Sequence, residues 1–465
     1  MVDQPWPGDA VSLVEEFRSG RRSPLEELDA TLAAVEASTL NAVCHVDAEA
    51  ARESAAAADV SLPFGGVPVG IKELDHVAGW PATEASVALA DRVATYTDTK
   101  IQRIRDAGAI TAVQTTSSEF GGTNQTRTLL HGATRNPWNP EMTPGGSSGG
   151  TAAGVAGGLF VIGSGGDGGG SIRIPAGFTG LFGLKSTFGR IPKGPHHVIG
   201  NMTAVPGCLS RSVRDTARWF DVSNGYDRHD PTSLPRVDGW ERGLGTLTDQ
   251  LRGLRVTVDP TLGGAVVADE TIELVIEAAE RLISVTGLRR VEEPVRIPEV
   301  TGAWSISGVV GLRLTLGDRW PERAGDLTPG LARGLEYAEE HFDLDAQVRF
   351  ERRRTELFEA MAELFERVDL VIAATNPHTA FEADGRLPTR FGGKEAKVGN
   401  NGALTIPANI YGSPAVSIPI GLDSRGLPVG MQVLAPHYRE QELLELAHVF
   451  EKHYPWPMVA PATSA

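Results

Sequence analysis

GGSSGGTAAGVAGGLFVIGSGGDGGGSIRIPAGFTGLFGLK is the sequence of residues 145–185, and this stretch decides the fold. Half of residues 145–170 are glycine, 13 of 26. Glycine costs about 0.5–1 kcal/mol per position inside a regular helix or strand, so this density needs a physical reason. Close approach of backbones, or main-chain N–H groups that face a ligand, would supply one. The apolar runs LFVI and IRIP favour burial, which argues against a disordered linker.

Two short motifs in this stretch have other known uses. Residues 145–149 match G-x-S-x-G, the nucleophile elbow of Ser-His-Asp α/β-hydrolases, but an elbow follows a buried strand. The preceding RNPWNPEMTP, residues 135–144, cannot form that strand because of its three prolines. Residues 163–168 match G-x-G-x-x-G, yet Pro175 follows soon and no acidic residue lies about 20 positions on to bind a ribose. A dinucleotide site is not expected, and the α/β-hydrolase stays a minor alternative.

Acidic residues are nearly absent around this segment. Asp167 is the only carboxylate between Glu141 and Asp215, in a chain that has 59 acidic residues. Such a gap indicates protein interior, and a buried carboxylate must be paired. Arg173, six residues on, is the expected partner.

Strands and helices are interspersed along the rest of the chain, which indicates an α/β protein. Residues 66–72, GVPVGIK, predict a short apolar strand that ends in Lys72. Residues 8–60 are expected to be helical, with Ser23 and Glu26 as a capping box. Residues 300–345 have no dominant hydrophobic period and are the candidate for a variable, substrate-facing insertion. No linker divides the chain, so residues 1–465 are expected to form one domain.

Composition narrows the class of partner. The net charge is -16, which disfavours a phosphate backbone, so no nucleic acid partner is expected. The two cysteines, Cys44 and Cys208, form neither a disulfide framework nor a metal-binding pattern. The first residues lack the basic start and apolar run of a signal peptide, and no stretch is long enough to span a bilayer. We expect a cytoplasmic enzyme without membrane contact.

Four ordered motifs together resemble the amidase-signature family. They are Val69–Lys72 (VGIK), residues 145–150 (GGSSGG), residues 166–173 (GDGGGSIR) and residues 180–185 (GLFGLK). RNPW at 135–138 and PVGMQ at 428–432 also fit. The resemblance covers about residues 63–232 and 405–437. It implies a single large domain with a central mixed β-sheet and helices on both faces.

The resemblance also implies roles for particular residues. Lys72 would be the base, Ser147, on a cis peptide bond, the proton relay, and Ser171 the nucleophile. Backbone N–H groups of Gly168, Gly169, Gly170 and Ser171 would form the oxyanion hole. Supporting roles would fall to Ser148, Asp167 and Arg173, and the substrate pocket would be lined by Gly121, Gly122 and Thr123. Three positions differ from the family pattern, namely Glu73, Gly166 and Gly168. The two glycines are expected to affect the catalytic rate more than the reaction class.

Three functions remain open at this point. The first is a stand-alone hydrolase of amides, with esters or carbamates as further substrates, which needs no metal or organic cofactor and is a monomer or a homodimer. The second is the glutaminase subunit of a tRNA-dependent amidotransferase. The third is a non-catalytic binding protein on the same scaffold, which the presence of Lys72, Ser147 and Ser171 disfavours. The apolar residues of the 300–320 stretch suggest an apolar acyl or aryl pocket, although core packing is the favoured explanation; they are Trp304, Val309, Val310, Leu312, Leu314 and Trp320.

Overall fold

The computed structural model of the protein describes residues 4–196 and 202–461. The ends of the predicted domain 1–465 lie outside these ranges. The strands are β1 Val43–Val46, β2 Pro68–Lys72, β3 Ile110–Thr115, β4 Arg127–Thr128, β5 Gly132–Ala133, β6 Ile162–Asp167, β7 Phe182–Lys185, β8 Val205–Ser210, β9 Arg255–Val258, β10 Arg289–Arg290, β11 Leu370–Ala374, β12 Arg390–Phe391, β13 Lys394–Glu395, β14 Ala415–Leu422 and β15 Pro428–Leu434.

Helices pack around these strands. They are α1 Ala10–Arg18, α2 Pro24–Ala37, α3 Ala48–Ala56, α4 Thr99–Asp106, α5 Gly149–Ala156, α6 Arg173–Thr179, α7 Val213–Ser223, α8 Thr248–Leu251, α9 Asp269–Thr286, α10 Thr301–Leu316, α11 Pro329–His341, α12 Leu344–Arg367, α13 Ile406–Tyr411 and α14 Glu440–His453. None of the helices in the described part of the chain is long and apolar enough to cross a lipid bilayer.

A mixed sheet of 11 strands forms the centre of the molecule, in the order β1-β3-β2-β6-β8-β7-β14-β15-β11-β9-β10. Strand β2 runs parallel to both β3 and β6, whereas β8, β7, β14 and β15 pair antiparallel in turn. This arrangement confirms the α/β class and the single large domain with a mixed sheet. Because β2 and β6 are parallel neighbours, the residues that follow them emerge at the same edge.

The glycine-rich segment lets a helix approach the sheet closely. Helix α5 packs near β2 with the Phe160 ring between them. A Cβ added at Gly154 would lie 2.2 Å from that ring, and one at Gly70 would lie 2.5 Å from it. Neither position has room for a side chain, so close packing accounts for part of the glycine density seen in the sequence.

The N-terminal region differs from the expectation of helices alone. Helix α2 has the predicted capping box: the Glu26 N–H donates to Ser23 Oγ at 3.2 Å, and the Ser23 N–H donates to Glu26 Oε2 at 2.8 Å. However, β1 lies between α2 and α3 and pairs with β3 at the edge of the sheet. The expectation of a purely helical segment at 8–60 was therefore wrong. A four-residue edge strand carries too short a pattern to stand out from its helical neighbours.

The 300–345 region is also more regular than its sequence indicates. It consists of α10, α11 and short 3₁₀ turns. Helix α10 carries apolar side chains on two faces. Leu312 lines a cavity at the edge of the central sheet, whereas Val310 and Leu314 are exposed to solvent. Apolar residues on opposite faces cancel the helical period, which explains why no period was detected.

Candidate active site

A cavity of about 570 Å³ opens at the edge of the sheet where β2 and β6 end. Lys72 is the last residue of β2 and Asp167 the last residue of β6. Ser147 and Ser171 line the same cavity as Lys72. Residues that are distant in sequence therefore meet here because two parallel strands finish side by side.

Lys72 is enclosed and contacts two serine hydroxyls. Its Nζ lies 2.7 Å from Ser147 Oγ and 2.8 Å from Ser148 Oγ. Burial lowers the pKa of Lys72 to about 8, against the opposing effect of the Asp75 and Asp167 carboxylates. The peptide bond between Gly146 and Ser147 is cis, as the family resemblance implied. A lysine that loses its proton this readily is suited to accept one from a hydroxyl.

Ser171 lies on the turn between β6 and α6, half-buried in the cavity wall. Its hydroxyl makes no hydrogen bond to any residue within 4–196 or 202–461, which leaves it available to a molecule in the cavity. The structure thus places Ser171 in the same cavity as Ser147 and Lys72, with Ser147 in hydrogen-bond contact with the lysine.

Asp167 is paired with Arg173, as the sequence predicted. The Arg173 Nη2 lies 2.9 Å from Asp167 Oδ1, its Nε lies 3.0 Å from Oδ2, and both side chains are fully buried. Arg173 also donates to the side-chain oxygens of Gln432 and Asn409, both at 2.6 Å. Burial by itself would raise the pKa of Asp167, but Arg173 and the Asn409 amide outweigh it and hold that pKa well below its usual value.

Removing this charge is expected to destabilise the protein. Asp167→Asn leaves Arg173 buried without its counter-charge, and breaking a buried pair in this way costs about 3–5 kcal/mol. We expect the free energy of unfolding, measured in urea, to fall by that amount. Glu280→Gln is the control, since the exposed Arg290–Glu280 pair contributes at most about 1 kcal/mol. An Asp167→Asn variant as stable as the control would show that the Asp167–Arg173 pair does not stabilise the fold.

The same carboxylate sets the conformation of the turn that leads to Ser171. Asp167 Oδ1 accepts the Gly170 N–H at 2.7 Å, and Oδ2 accepts the Ile172 N–H at 3.2 Å. The Gly170 N–H is therefore already engaged, and the expectation that it points to substrate was wrong for this residue. Among the described residues, no partner is found for the N–H groups of Gly168, Gly169 and Ser171.

Two side chains outside the turn hold its carbonyl groups. Trp304 Nε1 donates to the Gly168 carbonyl at 2.7 Å, and Thr405 Oγ1 donates to the Gly169 carbonyl at 2.6 Å. A trans peptide points its N–H opposite to its C=O, so fixing the Gly168 carbonyl also fixes the direction of the Gly169 N–H. Gly170 has φ +123°, and a Cβ there would lie 2.4 Å from Thr405 Oγ1, so only glycine fits.

The predicted pocket residues divide into two groups. Gly121 and Gly122 line the cavity, but Thr123 is not part of its wall. Instead the Thr123 hydroxyl donates to the Gln125 carbonyl at 2.9 Å, and its own carbonyl accepts from Ser118. The expected contact of Thr123 with substrate was therefore wrong: its side chain is used to shape the loop.

A charged cluster next to Lys72 was not anticipated. Ser164 Oγ accepts the Lys72 main-chain N–H at 2.8 Å and donates to Asp75 Oδ2 at 2.6 Å. Lys100 binds Asp75 at 2.9 Å and Asp98 at 2.7 Å. A serine inside the buried strand β6 was the available signal, because a polar residue in such a strand needs a partner. The roles of Trp304, Thr405 and Asn409 had no such signal.

Comparison with known proteins decides the family. The Amidase family model matches residues 26–315 and 323–444. The chain belongs to the amidase family. A curated relative from Akkermansia muciniphila, a glutamyl-tRNA(Gln) amidotransferase subunit, is 32% identical over 94% of this chain and 97% of its own. Members of the amidase family act on amide C–N bonds, and this chain is an enzyme of that kind.

Solved structures of the amidase family share the whole fold. A bacterial aryl acylamidase superposes with a TM-score of 0.88 at 29% identity and covers 97% of both chains. A 6-aminohexanoate cyclic dimer hydrolase superposes with a TM-score of 0.85 at 28% identity and covers 98% of both chains. Membership of the amidase family also removes the Ser-His-Asp alternative. The structure agrees, because residues 145–149 run from a loop into α5 and no strand directly precedes them.

Proposed function

We propose that this chain hydrolyses a neutral carboxylic amide with an apolar acyl or aryl group, through an ester of Ser171. The observation that carries the proposal is the contact of Lys72 Nζ with Ser147 Oγ at 2.7 Å inside the cavity that Ser171 also lines. A lysine, a relay serine and a free serine hydroxyl form a nucleophile with its base.

The reaction proceeds in two halves. Neutral Lys72 accepts the Ser147 proton as Ser147 accepts the proton of Ser171, whose oxygen attacks the amide carbon. The resulting oxyanion accepts hydrogen bonds from the free N–H groups of Gly169 and Ser171; such donors contribute about 3–4 kcal/mol each to barrier lowering. Ser147 then donates a proton to the leaving nitrogen, which departs as the amine or ammonia. Water enters, loses a proton along the same path and releases the acid.

The walls of the cavity support an apolar substrate. Five apolar residues of α10 and α11 line the cavity that the catalytic groups also line, namely Trp304, Val309, Leu312, Leu331 and Leu335. An aryl or alkyl group placed against them removes apolar surface from water, which stabilises the complex by about 25 cal/mol per Å². On this basis we propose that the 300–345 region faces the substrate.

The charges of the cavity fit glutamine less well. Free glutamine carries an ammonium and a carboxylate, and each needs an opposite charge when it is buried. Lys100 already forms ion pairs with Asp75 and Asp98, and Asp167 forms one with Arg173. Within the part of the chain that the structure describes, no arginine lines the cavity, and Lys193 is, apart from the catalytic base, the lining lysine without an ion pair. A glutamine carboxylate could therefore pair with Lys193. Its ammonium, however, would find Asp75, Asp98 and Asp167 already paired.

A glutaminase subunit of an amidotransferase is the second candidate. The 32% identity to the glutamyl-tRNA(Gln) amidotransferase subunit of Akkermansia muciniphila favours it. We place the protein outside that role, as an enzyme that acts alone, without nucleic acid or membrane contact. The free thiols of Cys44 and Cys208 suit a reducing compartment, and we propose a cytoplasmic location.

A substrate series separates the two candidates. The p-nitroanilides of acetic, butyric and hexanoic acids and free glutamine would be assayed with the purified chain. We expect kcat/KM to rise about fourfold for each added methylene, because a buried CH₂ contributes about 0.8 kcal/mol. Glutamine should release no ammonia. Glutamine turnover faster than that of every anilide would overturn the proposal and favour the amidotransferase role.

Leu312→Asp tests the apolar wall directly. Loss of this side chain and introduction of a charge should lower kcat/KM for the hexanoyl anilide by about 10–100-fold, given the 1.5–3 kcal/mol that a buried leucine contributes. Acetamide, which is too small to reach the wall, should be hydrolysed at an unchanged rate. Leu314→Asp on the same helix is the control, since Leu314 is 60% exposed and lies outside the cavity. Equal effects of the two variants would contradict this placement of the acyl group.

A further inference from the structure

A second cluster of reactive side chains lies beside the end of the strand that carries Lys72. Cys44 of β1, Glu73 directly after β2, and His131 of the turn between β4 and β5 each contribute one donor atom. These three atoms all lie within 4.8 Å of one another. His131 Nε2 is 2.8 Å from Glu73 Oε1. Strands β1 and β2 lie close together because both pair with β3. The β4–β5 turn is held near β1 by the Asn41 amide, which donates to the His131 carbonyl at 2.7 Å.

One carboxylate oxygen of Glu73, Oε2, makes no hydrogen bond of ordinary geometry to any described residue, and burial together with the nearby Glu73 charge raises the pKa of the Cys44 thiol. The Glu73 side chain is 1% exposed. The other oxygen, Oε1, accepts from Thr83 and contacts His131. In the described ranges, no lysine or arginine forms an ion pair with Glu73. A buried carboxylate oxygen without a donor is costly, so this group indicates a ligand that brings positive charge.

The donor types identify the ligand. A thiolate, an imidazole nitrogen and a carboxylate oxygen are the three side-chain ligands that Zn²⁺ uses in proteins, at about 2.3, 2.0–2.1 and 2.0–2.2 Å. Softer sulfur together with nitrogen argues against Mg²⁺ or Ca²⁺, which prefer oxygen alone. Gln114 Oε1, 3.9 Å from Cys44 Sγ, or water completes a tetrahedral set. Cys44 and His131 are only half-buried, so an ion can reach the site from solvent.

We propose that Cys44, Glu73 and His131 bind one zinc ion. Cys44 binds as the thiolate, and its proton leaves to solvent. The ion joins the edge strand β1 and the β4–β5 turn to the end of β2, one residue beyond Lys72, and so stabilises the part of the sheet that positions the base. The expectation of no metal rested on cysteine spacing, which carries no information about a site assembled from three separated segments. This inference is independent of the proposed amide hydrolysis.

Metal binding to the full-length, tag-free protein tests the site. After treatment with a chelator, the protein would be titrated with Co²⁺ and then with Zn²⁺ against a chromophoric competitor. We expect one equivalent to bind, with a thiolate-to-cobalt charge-transfer band that zinc abolishes. Cys44→Ser should eliminate the band and weaken zinc binding by more than about 100-fold, since changes beyond the ligands alone cost about 10–100-fold.

Cys208→Ser is the matched control. Cys208 is a free, buried thiol in β8 and contributes nothing to the cluster, so its loss should leave stoichiometry and spectrum unchanged. His131→Gln, a substitution at a half-buried turn, serves as a second ligand variant should Cys44→Ser fold poorly. The proposal is overturned if the wild-type protein shows no thiolate–cobalt band, or if either ligand variant binds zinc as tightly as the wild type. Absence of the band from the wild-type protein would mean that Cys44, Glu73 and His131 form a hydrogen-bonded cluster without metal.

Discussion

Replacing Ser171 by alanine is expected to lower kcat by about 10⁴-fold or more, because removal of a catalytic nucleophile costs that much or more in serine hydrolases. The protein should keep its stability. The Ser171 hydroxyl makes no hydrogen bond to any residue of the described ranges, and it is half-exposed at the cavity wall. Its loss therefore leaves no buried group unpaired. Single-turnover assays with an anilide, beside thermal unfolding of the same sample, measure both quantities.

Ser186→Ala is the matched control for this substitution. Its hydroxyl is buried, has no hydrogen-bond partner among the described residues and lies outside the cavity. Deleting it removes the same atom without touching the reaction path, so activity should stay near the wild-type value. A Ser171→Ala variant that retains more than a tenth of wild-type kcat would contradict the assignment of the nucleophile.

Lys72→Met is expected to have the second largest effect. Methionine keeps the length and bulk of the side chain but removes the amine, and a positioned general base contributes about 10²–10⁴-fold to rate. We expect kcat to fall within that range while KM changes little, since Nζ contacts Ser147 and Ser148 and not the apolar wall. Steady-state kinetics on the hexanoyl anilide separate kcat from KM.

Two comparisons make the Lys72 result specific. Lys193→Met removes another, half-buried lysine of the same cavity, whose Nζ lies 4.4 Å from the Phe188 ring centroid, and it should leave kcat within about threefold if no proton path is involved. The double variant Lys72→Met with Ser147→Ala should be no slower than the slower single variant, because residues of one relay act as a unit. Multiplicative losses would mean that the two residues act separately.

Local patterns were sufficient to predict the parts of the site that lie in one stretch of chain. Lys72 at the end of an apolar strand and Asp167 beside Arg173 both carried a signal in the residues around them. The four sequence motifs were sufficient to predict the family and to single out Ser147 and Ser171. The cluster of Cys44, Glu73 and His131 and the hydrogen bond from Trp304 to the Gly168 carbonyl had no such signal, since each depends on segments that are far apart in the sequence.

The incorrect predictions concern Thr123, the Gly170 N–H and helix α10, and each has a physical cause. Thr123 belongs to a glycine-rich turn, and a sequence does not tell which residue of a turn faces a ligand and which bonds to the turn itself. The Gly170 N–H was expected to face substrate, but an aspartate three residues earlier captures it at 2.7 Å. Helix α10 shows no hydrophobic period in the sequence because it lines the cavity on one face and exposes Val310 and Leu314 on another.

Labelling with a fluorophosphonate, read by intact mass and peptide mapping, tests the central claim most directly. The reagent phosphonylates only a serine that a base activates, and it requires no knowledge of the natural substrate. The account predicts one adduct per chain, on Ser171, which is absent from Ser171→Ala and strongly slowed in Lys72→Met. An adduct on Ser147, or no adduct on a chain that still hydrolyses anilides, would contradict it.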